Sequence, residues 1–170
     1  MRTLLCGLGL AGLLSAQITL PPYTSSFSVS TATRGFFFQT PVAIVVTGLK
    51  VPNEKKHALQ NVELYKLAGP PPAYSATAQG GQVFLRVGAP SDTVIPVVPP
   101  ALYQAGDWVG VLGGCGDASV MHSSYGQGNF QTTVLGQPIT LQRLLTQTKL
   151  ATSGGNPPYS TESGGSISRA

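Results

Sequence analysis

The chain has 170 residues, 42% hydrophobic and only 9% charged, with 21 glycines, 14 prolines and a formal charge of +4. That length suits one domain with a real core, but roughly 25% charged residues would be ordinary for such a domain, so charge is scarce and turns are plentiful. The cations are scattered, Lys55-Lys56 being the one adjacent pair, and without a basic stripe to follow a phosphate backbone no nucleic-acid partner is expected.

Residues 1–16 place one positive charge at Arg2 ahead of an apolar run from Leu4 to Leu14, closed by Ser15 and Ala16. This is the layout of a cleaved signal peptide. The run falls short of the roughly 20 apolar residues that span a bilayer, so the mature chain is expected to be secreted or at the cell surface, with no membrane span. Cys6 leaves with the signal, and Cys115 is then alone, without an intrachain disulfide partner.

Residues 17–25 read as an N-terminal extension: "QITL", then Pro21-Pro22, which stiffens the chain toward extended geometry. From Ser26 the period is two, with Phe27, Val29 and Thr31 opposite Ser26, Ser28 and Ser30. Two strands are predicted in "FFFQTPVAIVVTGLKV", Gly35 to Gln39 and Val42 to Val51, the second apolar on both faces through Val46 like a central strand between layers. "QNVELYKL" alternates, with Val62 and Leu64 inward against Asn61 and Glu63. "QVFLRV", "TVIPVV", "DWVGVLG" and "FQTTVLG" continue the series between the separators "AGPPPAY", "GAPSD", "PPALYQAG" and "SSYGQGN". "PITLQRLLTQTKLA" fits a strand or a helix, and the neighbouring strands favour a strand to about Leu145. Residues 151–170 read as a Gly/Pro/Ser-rich linker followed by a short strand in "SISRA". The predicted fold is all-β: a single antiparallel two-sheet β-sandwich, jelly-roll-like, over residues 26–150.

In "GVLGGCGDASVMH" a cysteine nucleophile would need His122 or His57 as base and Asp107 or Asp117 to orient it. No local signature of a cysteine protease accompanies it. The simpler reading makes Cys115 a small apolar filler beneath a bend permitted by Gly113, Gly114 and Gly116, with an intermolecular disulfide as the other option. The acidic residues Glu54, Glu63, Asp92, Asp107, Asp117 and Glu162 are dispersed, which suits neither a metal site nor a glycosidase pair. No catalytic residue, metal or cofactor is expected. Tyr103, Trp108 and Tyr125 lie in or beside loops, where an exposed ring can stack on a sugar, although a lone tryptophan also makes a natural core residue. No N-x-S/T sequon occurs, so attached sugar would be O-linked.

At "RGFFFQTPVAIVVTGLKVP", "QNVELYKL", "QAGDWVGVLGGCG", "SYGQGNF" and "GQPITLQRLLTQ" the chain resembles a group of secreted β-sandwich domains from planctomycete-type environmental bacteria. The resemblance implies a fold and carries no activity or catalytic residues. It also implies a closing strand that is short or absent after "ISR". The function expected is a non-enzymatic extracellular structural or cell-surface protein, a self-assembling fibre subunit joined by edge-strand pairing, with Ile18, Leu20, Phe27 and Val29 as assembly residues. Its partners would be copies of itself or other extracellular proteins. The alternative is a carbohydrate-binding module that holds polysaccharide on Tyr103, Trp108 and Tyr125.

Overall fold

The computed structural model describes residues 16–29, 32–72, 80–117, 119–146, 150, 159–160 and 165–170. The expected signal peptide, apart from Ala16, lies outside the described residues, as does most of the expected linker. The Ser/Phe/Val alternation forms β1 (Ser25–Val29) and the aromatic run forms β2 (Thr33–Gln39). β3 (Ile44–Leu49), β4 (Leu59–Leu67), β5 (Gly80–Pro90), β6 (Ile95–Tyr103), β7 (Trp108–Gly116), β8 (Met121–Gly126), β9 (Phe130–Val134) and β10 (Gln137–Thr146) follow. Two short strands, β11 (Tyr159–Ser160) and β12 (Ile167–Ser168), complete the series.

The architecture is all-β and antiparallel, a large curled sheet with a small two-stranded one. The large sheet runs β1-β8-β7-β2-β10-β11, with β4 on β7, β5 on β4, β9 on β10 and β12 on β8. β7 is its centre. One edge of β7 pairs with β4 from Trp108 to Cys115, while Trp108–Leu112 also pair with β2 and Cys115–Gly116 with β8. The small sheet is β3 with β6. Its inward residues Ile44, Ala101 and Tyr103 join Phe36, Phe38, Leu64, Val109 and Val111 of the large sheet in the main core.

Several local expectations change. β3 is no central strand: among the described residues it pairs with β6 alone, and Val45 faces outward. β6 runs straight through the supposed separator at Pro99-Pro100. Proline lacks the N–H for a ladder bond and is tolerated at such an edge, and the register with β3 skips residues 97–100 between Ala101 and Pro96. β4 is buried on both faces, Asn61 and Glu63 included. β8 occupies most of another supposed separator, since its serines are buried by neighbouring strands. The ambiguous segment is strand to Thr146, and Tyr159–Ser160, inside the expected linker, pair with Leu145 and Thr146.

Gly113 and Gly114 lie within β7 rather than at a bend. A Cβ on Gly113 would come 2.9 Å from both Val51 and Ala170, and one on Gly114 2.9 Å from Met121. Only Gly116 turns the chain, with φ of 130° and a Cβ position 2.1 Å from the Val120 carbonyl.

Candidate functional site

Cys115 and His122 are cross-strand partners, so the fold does bring together the two residues that the cysteine-nucleophile reading required. Their side chains are nonetheless committed elsewhere. The thiol is 2% exposed and lies 3.7 Å from the Pro52 carbonyl and 4.0 Å from Ser91 Oγ. Burial pushes its pKa up to about 11, so the thiolate needed for attack is absent at neutral pH. His122 Nδ1 sits 2.6 Å from Ser28 Oγ, and its ring stacks on His57 with centroids 4.1 Å apart. Burial, then the charge of His57, then that of Lys55, hold the His122 pKa below the usual imidazole range. Asp117 is occupied by its own turn, accepting from the N–H and hydroxyl of Ser119. Asp107 accepts from Lys66 Nζ at 2.5 Å and from the Gln104 N–H at 2.7 Å, the first of these chiefly holding its carboxyl below the usual range. Among the described residues no group of three or more His, Cys, Asp or Glu could hold a metal ion.

The three aromatic candidates part ways. Tyr103 is fully buried and donates its hydroxyl to the Tyr65 carbonyl at 2.8 Å, so it offers no ring face to a sugar. Its place as an inward residue of β6 is the reason. Tyr125 lies in β8, stacked on Phe27 at 6.0 Å, with the Arg143 guanidinium 5.4 Å from its centroid. Trp108, the first residue of β7, is half-buried, tilted against Phe37 at 5.9 Å, and lines an open cleft of about 630 Å³.

The register explains that cleft. Trp108 faces Gln39, Phe37 faces Gln142, and Thr140 faces Gln131. Alternation along β2 and β10 then puts Trp108, Gln39, Gln142, Thr140 and Gln131 on one side of β7, β2, β10 and β9. Gln39 donates to the Gly106 carbonyl at 2.9 Å, and Gln131 and Thr140 are joined at 2.9 Å. Among the described residues, neither the Gln142 amide nor the Trp108 indole N–H has a hydrogen-bond partner. The turn under Trp108 is fixed: the Thr40 N–H donates to the Asp107 carbonyl at 3.0 Å and the Gly106 N–H to that of Thr40 at 2.7 Å. Sequence reasoning picked out Trp108 and missed the glutamines, which come from three separate strands.

The assembly candidates fold back on their own domain. Ile18 and Leu20 are partly buried against the main core, and Pro21 is buried where it meets Gly126. Phe27 packs between Tyr125 and Arg34, while the backbone of Val29 pairs with Met121. The most exposed of the large apolar side chains described lie elsewhere, on the outside of the small sheet and just before it. Val45 and Leu102, opposite one another in register, are 56% and 58% exposed, and Val94 and Val98 are 66% and 74% exposed.

No helix among the described residues is long and apolar enough to cross a membrane. In comparison with known proteins, no family model, curated protein or solved structure matches the chain.

Proposed function

We propose that the protein is a secreted or cell-surface structural component, without enzymatic activity, that associates with copies of itself. The observation that carries this reading is the outward face of β3–β6, where Val45, Val94, Val98 and Leu102 stand exposed. An uncharged apolar face of this kind costs free energy in water and marks an interaction surface. A second copy fits it because the face carries no charge for an unlike partner to match, whereas the same patch complements itself. Strand pairing supports the same occupant: β3 and β6 have only each other among the described residues, which leaves ladder groups free for a neighbour's strand. Two strands alone are marginal, and a third adds stability. A jelly-roll-like two-sheet reading belongs with this proposal, with β3–β6 as the smaller sheet; the core that its inward residues share with the larger sheet supports it. The raised pKa of the buried Cys115 thiol supports reading that residue as packing rather than as a nucleophile.

Sedimentation velocity and electron microscopy of the mature protein test the proposal. The wild type is expected to associate, and Val45→Lys with Leu102→Gln to leave a folded monomer whose thermal midpoint falls by what the neighbour's contacts supplied. A wild type that stays monomeric at every concentration, or a double variant that associates equally well, overturns it.

A further inference from the structure

We propose that the cleft around Trp108 binds the neutral, hydroxyl-rich rings of a polysaccharide. This site is separate from the β3–β6 face and does not depend on association. The lining has no charged residue; amide and hydroxyl side chains from Gln39, Gln131, Thr140 and Gln142 share it with one half-buried indole. A pyranose ring has the matching character, with C–H faces that pack on an aromatic plane and a rim of hydroxyls that both donate and accept. Phe37 backs the indole and the bonded turn at 104–107 fixes its strand, so little side-chain freedom is lost on binding. Among the described residues Gln142 has its carbonyl and both amide hydrogens uncommitted, and Trp108 its indole N–H, so the cleft offers at least two polar anchors that no described group occupies. The volume of about 630 Å³ falls within the roughly 300–1,000 Å³ of small-ligand clefts. The cleft is open rather than closed over, which suits a chain running through it. An anionic glycan finds no cation among the residues that line the cleft.

Affinity electrophoresis of the mature chain tests this in gels carrying a soluble β-glucan, a mannan or a xylan, with alginate as the charged control. Retardation is expected in at least one neutral gel and not in alginate. Gln142→Ala should weaken it about 5-fold, the equivalent of one neutral hydrogen bond, while leaving the thermal midpoint unchanged. Trp108→Ala should abolish it; because that indole also packs on Phe37, the Gln142 variant carries the test if the tryptophan variant fails to fold. Retardation in no neutral gel, in alginate alone, or undiminished by Gln142→Ala overturns the proposal. So does a proline-rich peptide that shifts the Trp108 indole N–H resonance where none of the three glycans does.

Discussion

Gln60 satisfies three backbone groups with one side chain, accepting from the Val51 N–H at 2.9 Å and donating to the Pro90 and Thr93 carbonyls at 2.7 Å each. Each buried group left unpaired would cost about 1–3 kcal/mol, which is why a polar residue is held at zero exposure in β4. Asn61 does the same for Gly88 and Gly116, and Glu63 accepts from Tyr65 and Gln82. A two-residue alternation read from sequence turns such residues outward, since polarity is visible in the chain and the partners are not. His122 has a different consequence. Its pKa is lowered in the fold, first by burial and then by His57 and Lys55, so the unfolded chain binds more protons near the ordinary value of 6.5. Its contribution to stability is therefore complete above that value and is lost as pH falls below it. Thermal unfolding followed from about pH 7.5 to about pH 5.5 should show a falling midpoint that His122→Gln flattens. Asp117, at about 2, and Glu54 and Asp107, both lowered from ordinary carboxylate values, titrate below that window. A level wild-type profile would contradict the assignment.

Among the elements, the β9–β10 hairpin places Leu135 at φ 48° and Gly136 at φ 77°. Two left-handed central residues make the turn that matches strand twist, and asparagine followed by glycine is its favoured pair. Leucine there crowds its own carbonyl at a cost of about 1–2 kcal/mol, and the side chain, 39% exposed, belongs to none of the core clusters, so the core gains little from it. Leu135→Asn should raise stability by about 1 kcal/mol, read as a higher denaturant midpoint at unchanged slope; a lower midpoint would show that Leu135 contributes packing instead. The strands the sequence did disclose, β1 to β5, β7, β9, β10 and β12, are those whose own residues alternate or run apolar. β8 stayed hidden because Ser123 and Ser124 are buried by what lies across from them, and the second half of β6, beyond "TVIPVV", because Pro99 and Pro100 read as a break. The cleft was legible at one residue, Trp108. Gln39 and Gln142 join it only through register, which pairs distant segments and which no local pattern records.

For the molecule as a whole, β8 is where both ends are tied down. The Thr24 N–H donates to the Tyr125 carbonyl at 2.8 Å, Pro21 fills the space that a side chain on Gly126 would need, and Ile167 and Ser168 pair with Gly126 and Tyr125. Arg169 adds a backbone bond of 2.7 Å to the Ser124 carbonyl and an ion pair to Glu54. β12 thereby reaches β2, β7 and β10 as well as β8, and it closes the opening that β7 leaves as its edge passes from β2 to β8. The packing of the N-terminal segment on this chain's own core bears on two routes to association. If Gln17–Leu20 were donated to a neighbour, removing them would leave folded monomers of full stability. The packing of Ile18 and Leu20 against the main core gives the opposite expectation. Two half-buried aliphatic side chains contribute about 2–3 kcal/mol between them, so the deletion should lower the unfolding free energy by that amount while sedimentation records the same association as the intact chain. Loss of association at unchanged stability would move the interface from the β3–β6 face to the N-terminal segment.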